Sequence, residues 1–315
     1  NLLSVTLPRH GITTTFVDPS DPESFKNAAQ DNTRVFFIES LGNPKLDVLD
    51  IEAISKQAEA FKVPLIVDNT VATPYLLNPI QYGANIVIHS LTKYINGNGT
   101  SLGGVIIDAG TFDWANGKFP EFTEPSAGYH GLVYHEAIGA AAFIAKIRVE
   151  GLRDYGGALS PFNAFQIIQG LETLELRIKK HSTNALALAK WLQEQPEVTW
   201  VNYPGLSTSK YNDLARKYLP NGQSGIVTFG LDGGYESAKK VVDTTKLFSL
   251  LANIGDTKSL IHPASTTHQQ LSDESQETTG VTKDLIRLSV GIENIEDLKA
   301  DLKEAFSKVK KPVLA

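Results

Sequence analysis

The stretch Asn85-Ile-Val-Ile-His-Ser-Leu-Thr-Lys-Tyr94 decides how the rest of the chain is arranged. Its first five residues form an apolar run that predicts a short buried strand over residues 85–89. The polar turn that follows contains Lys93. Open α/β sheets bind ligands at the carboxyl ends of their parallel strands, so we expect Lys93 at the mouth of such a sheet.

Lys93 has the neighbours that a pyridoxal phosphate (PLP) site requires. Its amine can bond the cofactor aldehyde, and the hydroxyls of Ser90 and Thr92 can hold the phosphate. Small residues that leave room for a phosphate follow, namely Gly97, Gly99, Gly103 and Gly104. The alternative is a solvated surface lysine after an ordinary turn, which Ser90 and Thr92 would merely cap.

A second buried strand, Pro64-Leu-Ile-Val-Asp68, ends in a carboxylate. An ionised carboxylate against the PLP ring nitrogen keeps that nitrogen protonated and lets the ring act as an electron sink. Asp68 lies 25 residues before Lys93, a spacing that fits two neighbouring strands joined by a crossover. The alternative for Asp68 is a helix N-cap or a turn residue.

Composition argues against several classes of partner. The chain has 315 residues, and its 35 acidic and 29 basic residues give a net charge of −6, which argues against a nucleic-acid partner. No apolar stretch is long enough to span a membrane, and no signal peptide is evident, so we expect a cytoplasmic enzyme. With no cysteine and only isolated histidines such as His89, His262 and His268, we assign no metal site.

Alternating apolar strands and amphipathic helices predict an α/β fold with a mainly parallel sheet. Strands are expected at residues 11–17, 35–38, 64–68, 85–89 and 104–107, and then at 198–203, 225–230 and 285–290. Helices are expected from residue 23, at 50–61, near 133–149, over a nearly uninterrupted 162–195, and at 233–244 and 294–308, with a long loop at 110–132. We expect a PLP-binding large domain over residues 1–178 and a small domain over residues 179–315.

Five motifs together resemble the Cys/Met-metabolism group of fold-type I PLP enzymes, over essentially the whole chain. They are Glu39-Ser-Leu-Gly-Asn-Pro44, Val67-Asp-Asn-Thr70, His89-Ser-Leu-Thr-Lys-Tyr94, Ser160-Pro-Phe-Asn163 and Arg287-Leu-Ser-Val-Gly291. The resemblance implies a fold-type I transferase, with a large seven-stranded, mainly parallel sheet and a smaller C-terminal α/β domain. Residues 262–268 and 110–132 look most like the O-acetylhomoserine sulfhydrylase branch of the group.

The resemblance also implies roles for single residues. Lys93 is the catalytic and cofactor-bound lysine, and Asp68, Ser90 and Thr92 bind the cofactor. Glu39 and Asn43 match positions beside its ring, although a strand-end carboxylate and a turn residue are the plainer alternatives. Further positions match the site for the substrate carboxylate, namely Asn43, Ser259 and Arg287. An arginine inside a buried strand is costly without a partner, which favours this role for Arg287.

The implied activity is formation of homocysteine and acetate from O-acetyl-L-homoserine and sulfide, in a homotetramer. The alternatives are a cystathionine γ-synthase, a methionine or cystathionine γ-lyase, or an inactive paralogue or fragment that acts as an assembly partner. Compared with the family, the chain lacks roughly the first quarter, where relatives carry further cofactor contacts, so we expect weak cofactor retention from these residues alone. The chain also has no methionine, and one residue fewer than relatives between Ser259-Leu260 and His262-Pro263.

Overall fold

The computed structural model of the chain describes residues 1–263, 265 and 280–309. The strands are β1 (Phe36–Glu39), β2 (Leu65–Asp68), β3 (Ile86–Ser90), β4 (Gly104–Asp108), β5 (Val198–Asn202), β6 (Ile226–Leu231), β7 (Ser249–Leu250), β8 (Leu260–Pro263) and β9 (Leu285–Ser289). The helices are α1 (Pro22–Ala28), α2 (Ile51–Ala60), α3 (Thr73–Leu76), α4 (Pro120–Thr123), α5 (Tyr134–Ile138), α6 (Ala142–Lys146), α7 (Arg153–Tyr155), α8 (Pro161–Glu172), α9 (Leu174–Leu192), α10 (Asn212–Tyr218), α11 (Gly234–Thr244) and α12 (Ile295–Phe306).

The first sheet places three strand ends side by side. Its order is β1-β2-β3-β4, in which β1, β2 and β3 are parallel and β4 is antiparallel to β3. Glu39 is the register partner of Asp68, so both residues lie at the carboxyl edge. The α/β class is confirmed. Within the described residues this sheet has four strands, against the seven that the resemblance implies for the family.

The prediction of a strand over residues 11–17 is wrong. A 3₁₀ turn over Leu7–His10 ends at Gly11 with a left-handed φ of 77°, and residues 12–18 then run without regular structure. Ile12 and Phe16 are exposed. β-branched residues favour a strand only where a neighbouring strand supplies hydrogen bonds and packing, and no described strand pairs with this segment.

Helix α9 links two hydrophobic cores. Its first turns pack Leu174 and Ile178 into the core that covers the first sheet. Its later turns pack into the core of the second sheet through Ala185, Leu188, Ala189 and Leu192. The proposed domain boundary after residue 178 therefore falls inside a continuous helix.

The single long helix predicted over residues 162–195 is interrupted at Thr173. The Thr173 amide donates to the Gly170 carbonyl at 3.3 Å. This bond spans three residues, as in a 3₁₀-helix, instead of the four of an α-helix. The same carbonyl accepts from the Arg177 guanidinium at 2.6 Å. The sequence has no proline or glycine pair that would mark this break. The donor that competes for the Gly170 carbonyl is the Arg177 side chain, one turn further along the helix.

The second sheet carries Arg287 at its centre. Its order is β5-β6-β9-β8-β7, antiparallel except between β7 and β8. Arg287 on β9 is the register partner of Thr228 on β6 and His262 on β8. Strand β8 was not expected from the sequence, because its four residues are too few to show a period of two.

The long loop predicted over residues 110–132 contains α4 and folds over the first sheet. Trp114 stacks on Phe143 with ring centroids 5.0 Å apart, and Phe119 and Phe122 pack around the indole. This aromatic cluster covers Ile86 on the face of the sheet opposite the main core. In the described part of the chain, no helix combines the length and apolarity that crossing a membrane requires.

Candidate active site

Three predicted site residues lie on one face of the first sheet. Side chains alternate along a strand, so Glu39, Asp68 and Ser90 point away from the core that buries Val67 and Val87. One Asp68 oxygen accepts from the Thr70 amide at 2.9 Å, which fixes the carboxylate at the strand end. Its second oxygen has no hydrogen-bond partner among the described residues and remains open to a ligand.

Glu39 lies beside Asp68 and shares its electrostatic environment. The residue as a whole is exposed, but its carboxyl group is close to that of Asp68 and partly desolvated. Desolvation there, together with the negative charge of Asp68, raises the pKa of Glu39 to about 7. The Asn43 amide donates to Glu39 at 3.3 Å and partly offsets these effects.

Lys93 lies in the turn after β3, where its amine is half-buried. The turn is closed by hydrogen bonds from the Lys93 amide to the Ser90 carbonyl and from the Gly97 amide to the Lys93 carbonyl, at 3.3 and 2.9 Å. The Lys93 Nζ donates to Asn253 Oδ1. Burial and, to a lesser extent, the positive charge of Arg287 lower the pKa of the Lys93 amine. This shift moves the amine toward its neutral form, which is the form that reacts with an aldehyde.

Arg287 is a buried cation with unused donors. It is 7% exposed, and burial lowers the pKa of its guanidinium to about 10. Nη1 donates to Asn43 Oδ1 at 3.0 Å, and Nη2 donates to the Asn253 carbonyl at 3.3 Å. A guanidinium has five N–H donors, so most remain free, and no described carboxylate lies within ion-pair distance. Burying such a charge costs stability unless an anion, such as a ligand carboxylate, pairs with it.

Ser90 and Thr92 flank Lys93 but use their polar groups differently. The Ser90 amide donates to the Thr70 hydroxyl at 2.8 Å, and the Ser90 hydroxyl makes no hydrogen bond within the described residues. The Thr92 hydroxyl exchanges hydrogen bonds with the main chain of Gly103, at 3.1 and 3.3 Å. Ser90 thus offers a free hydroxyl, whereas Thr92 already holds the turn against β4.

Ser259 is fully buried in a separate network. Its hydroxyl donates to the Glu293 carboxylate at 2.9 Å and accepts from the Gly291 amide at 2.8 Å. The Ser259 amide also donates to Glu293, at 2.6 Å. These contacts hold the start of β8 against the segment after β9. The structure does not bring this hydroxyl to the Arg287 guanidinium, and the assignment of Ser259 to the substrate carboxylate stays a prediction.

Asn253 is the site residue that the sequence did not reveal. Its side chain accepts from Lys93, and its main-chain carbonyl accepts from Arg287, so it joins the two cations. Asn253-Ile-Gly-Asp256 reads as an ordinary turn. The one available signal was Gly255, whose left-handed φ of 77° brings the loop against the Lys93 turn.

The arrangement fits PLP. Lys93 supplies an amine with a lowered pKa, and Asp68 supplies an open carboxylate oxygen on the same edge. Ser90 supplies a hydroxyl that no described residue uses, which suits an anion. Arg287 adds a cation near the amine that has no carboxylate partner among the described residues, so an amino-acid carboxylate can bind there. His268, which we included among the isolated histidines, lies outside the described residues, and those residues contain no cluster of ligands for a metal ion.

Comparison with known proteins agrees with this geometry. Residues 1–307 match the family described as Cys/Met metabolism PLP-dependent enzyme. The chain belongs to this family. Its members use PLP, so the cofactor inferred from Lys93 and Asp68 is confirmed, and the role of each residue stays a prediction.

Individual members of the Cys/Met metabolism family match over almost the whole chain. An O-acetyl-L-homoserine sulfhydrylase from Leptospira meyeri is 57% identical over 98% of the chain, which spans 72% of that relative. A homocysteine synthase from Schizosaccharomyces pombe is 52% identical over 97% of the chain, which again spans 72% of the relative.

A solved structure of this family has the same fold. It is a Campylobacter jejuni protein described as an O-acetylhomoserine (thiol)-lyase, 44% identical, with a TM-score of 0.94. The match covers 98% of the chain and 74% of that protein, whose crystal structure contains N'-pyridoxyl-lysine-5'-monophosphate.

Proposed function

We propose that this PLP-dependent enzyme converts O-acetyl-L-homoserine and sulfide into L-homocysteine and acetate. Relatives named for this reaction are 46–57% identical over nearly the whole chain. The observation in the structure that carries the proposal is the unpaired Arg287 guanidinium beside the Lys93 amine, which suits an amino-acid substrate.

Arg287 and Asn43 bind the α-carboxylate of the substrate. The planar guanidinium can donate to both carboxylate oxygens, because most of its N–H groups are free in the described structure. Asn43 holds Nη1 from the large-domain side at 3.0 Å and limits the rotation of the guanidinium. The carboxylate thereby sets the α-carbon at a fixed place relative to Lys93.

Lys93 acts as the base and acid for the substrate carbon atoms. When bound, PLP supplies an electron sink that stabilises negative charge at the substrate carbon. Lys93 Nζ takes the proton from the α-carbon, assisted by a local environment that lowers the pKa of the amine. Asp68 favours a protonated ring nitrogen through its open oxygen, so both residues serve throughout the reaction.

The overall reaction exchanges two groups at the γ-carbon. The bond from the γ-carbon to the acetate oxygen breaks, and a bond from the γ-carbon to sulfur forms, so O-acetylhomoserine and hydrogen sulfide give homocysteine and acetic acid. Lys93 returns the proton to the α-carbon at the end. No oxidant or reductant is required.

The assay that tests this function uses the purified protein with PLP, O-acetylhomoserine and sulfide. We expect homocysteine and acetate in equal amounts, and no turnover with Lys93→Ala, which should keep the fold. Release of α-ketobutyrate without sulfide would instead identify a γ-lyase, and cystathionine formed with added cysteine would identify a γ-synthase. Retained steady-state activity in Lys93→Ala would refute the role of Lys93.

We further propose a homotetramer located in the cytoplasm. In support, α8 exposes a stripe of apolar side chains at Phe162, Phe165, Ile168 and Leu171, which suits a protein contact. Light scattering of the purified protein tests the assembly, and a monomer at micromolar concentration would contradict it.

A further inference from the structure

One face of α9 holds main-chain carbonyls on both sides of the site. Arg177, His181 and Asn184 follow one another at helical spacing, so they face the same direction. The carbonyls they contact belong to the turn after Lys93 and to the segment after β9, at Tyr94, Ile95, Val290, Gly291 and Glu293. This face therefore touches the two segments that carry Lys93 and Arg287.

Arg177 is the central contact to the Lys93 turn. It is 6% exposed, and its guanidinium donates to the carbonyls of Tyr94 at 2.6 Å and Ile95 at 3.0 Å. The same group donates to the Gly170 carbonyl at 2.6 Å and, through Nε, to the Thr173 hydroxyl at 3.1 Å. Four of its five N–H donors are thus used, which leaves little capacity for a ligand.

The contrast with Arg287 separates the two buried arginines. Arg287 makes two hydrogen bonds within the described residues and keeps free donors, as a ligand-binding group should. Arg177 uses four of its five donors on neutral carbonyls and a hydroxyl, and no described carboxylate pairs with it. A cation buried without an anion costs stability unless the structure gains something from its geometry, and here the fork geometry fixes two consecutive carbonyls.

The turn packs closely around Arg177. A Cβ added to Gly97 would overlap the Arg177 guanidinium, and Gly97 has a left-handed φ of 72°. The Gly97 amide in turn closes the turn by donating to the Lys93 carbonyl at 2.9 Å. The guanidinium therefore sits inside the loop that starts at Lys93.

We propose that Arg177 is a positioning residue that fixes the Lys93 turn and so sets the direction of the Lys93 amine toward the bound substrate. His181 and Asn184 hold the segment after β9 on the same helix face, so α9 keeps Lys93 and Arg287 at a constant separation. The part of this proposal that concerns turnover rests on the proposed function, whereas the part that concerns the turn does not.

The test compares Arg177→Met, Arg177→Lys and Thr173→Val with a matched control, Leu188→Ala. Leu188 lies on the same helix but packs in the other core, so its truncation lowers stability without touching the turn. Each PLP-loaded protein is measured for its thermal midpoint, for kcat and KM with O-acetylhomoserine, and for hydrogen exchange of the Asn96 and Gly97 amides. Peptide mapping after borohydride reports the fraction of Lys93 that carries pyridoxyl.

For Arg177→Met we expect kcat to fall about 10-fold or more, with KM within about 3-fold, since a displaced base affects chemistry more than binding. Exchange of the two amides should rise about 10-fold through local opening. Arg177→Lys, which keeps the charge without the fork, and Thr173→Val, which removes the Nε anchor, should show smaller changes of the same kind. Leu188→Ala should lower the thermal midpoint and change neither kcat nor the two amides.

Equal kcat and equal amide exchange in Arg177→Met and Leu188→Ala would overturn the proposal. If Arg177→Met does not fold, Arg177→Lys, which keeps the buried charge, and Thr173→Val, which keeps the whole Arg177 side chain, decide in the same way. If the unmodified enzyme does not use O-acetylhomoserine, the proposed function fails, and the amide exchange and the Lys93 adduct still decide the role of Arg177.

Discussion

The Arg287 guanidinium donates to the Asn43 side-chain oxygen at 3.0 Å, although 244 residues separate them in sequence. Asn43 follows the first strand of the first sheet, and Arg287 lies in the central strand of the second sheet. This contact places a buried cation from one sheet at the carboxyl edge of the other. If Arg287 and Asn43 bind the substrate carboxylate as proposed, both sheets contribute to that binding site.

Replacing Arg287 should weaken the use of substrate strongly. We expect Arg287→Met to lower kcat/KM for O-acetylhomoserine by about 100-fold, since a buried charge pair of this kind is worth about 2–5 kcal/mol. Arg287→Lys keeps the charge and loses the planar fork, so its kcat/KM should lie between those of Arg287→Met and the unmodified enzyme. Arg216→Met, at an exposed arginine on α10, is the control. A kcat/KM within about 3-fold of the unmodified value in Arg287→Met would contradict the assignment, because that corresponds to less than about 1 kcal/mol.

Replacing Asn253 should change the protonation of Lys93. Asn253→Asp places a carboxylate against the ammonium, which favours the charged form and raises the pKa of Lys93. The base must be neutral to act, so the acidic limb of the kcat profile should move to higher pH. Asn253→Ala should lower kcat without that shift. Identical pH profiles for Asn253→Asp and the unmodified enzyme would show that this side chain does not face the reactive amine.

Glu39 should make stability fall as pH rises from about 4.5 to about 7. Its pKa is about 7 in the folded protein, against 4.5 for the unperturbed group, so the folded state binds more protons than the unfolded state across this range. Glu39→Gln should therefore gain thermal stability relative to the unmodified protein at pH 8 and not at pH 4. After allowance for solvent screening, the gain is about 1 kcal/mol.

The control for Glu39 is Glu59→Gln, at an exposed carboxylate on α2. The thermal midpoint of Glu59→Gln should equal that of the unmodified protein at both pH 4 and pH 8. If Glu39→Gln and Glu59→Gln have the same pH dependence of the thermal midpoint, the carboxyl of Glu39 does not have a raised pKa.

Gly255 should not accept a side chain. A Cβ there would lie 2.5 Å from the Tyr94 amide nitrogen and 2.9 Å from the Lys93 carbonyl carbon, and φ is 77°. Gly255→Ala should therefore push the Asn253 loop away from the Lys93 turn, cost about 1–3 kcal/mol of stability and lower kcat. Gly128→Ala, where nothing lies within 4 Å of the added carbon, should change neither. Normal kcat in Gly255→Ala would mean that the loop and the turn move independently.

The sequence predicted the parts of the site that rest on parallel strands. The apolar runs before Asp68 and Ser90 each end in a polar residue, and parallel strands bring such ends to one edge. The helices α2, α11 and α12 were also located to within one or two residues, because their apolar residues recur at a period of about 3.6.

The parts that the sequence did not predict depend on contacts between distant segments. Asn253 has no motif that marks it, and its role follows only from the loop conformation that Gly255 allows. The break at Thr173 arises because Arg177 takes the Gly170 carbonyl, a competition between side chain and main chain that no periodic pattern records. Arg287 and Arg177 cannot be distinguished by sequence, because what separates them is how many of their donors the surrounding described residues use, two for Arg287 and four for Arg177.

The most direct test of the site is chemical trapping of the cofactor. The purified protein is mixed with PLP, reduced with borohydride, digested and mapped by mass spectrometry, with Lys93→Ala in parallel. We predict a pyridoxyl adduct on the peptide that contains Lys93, and no specific adduct in the variant. A specific adduct on any other lysine, or none on Lys93 when PLP is in excess, would contradict the central role of Lys93.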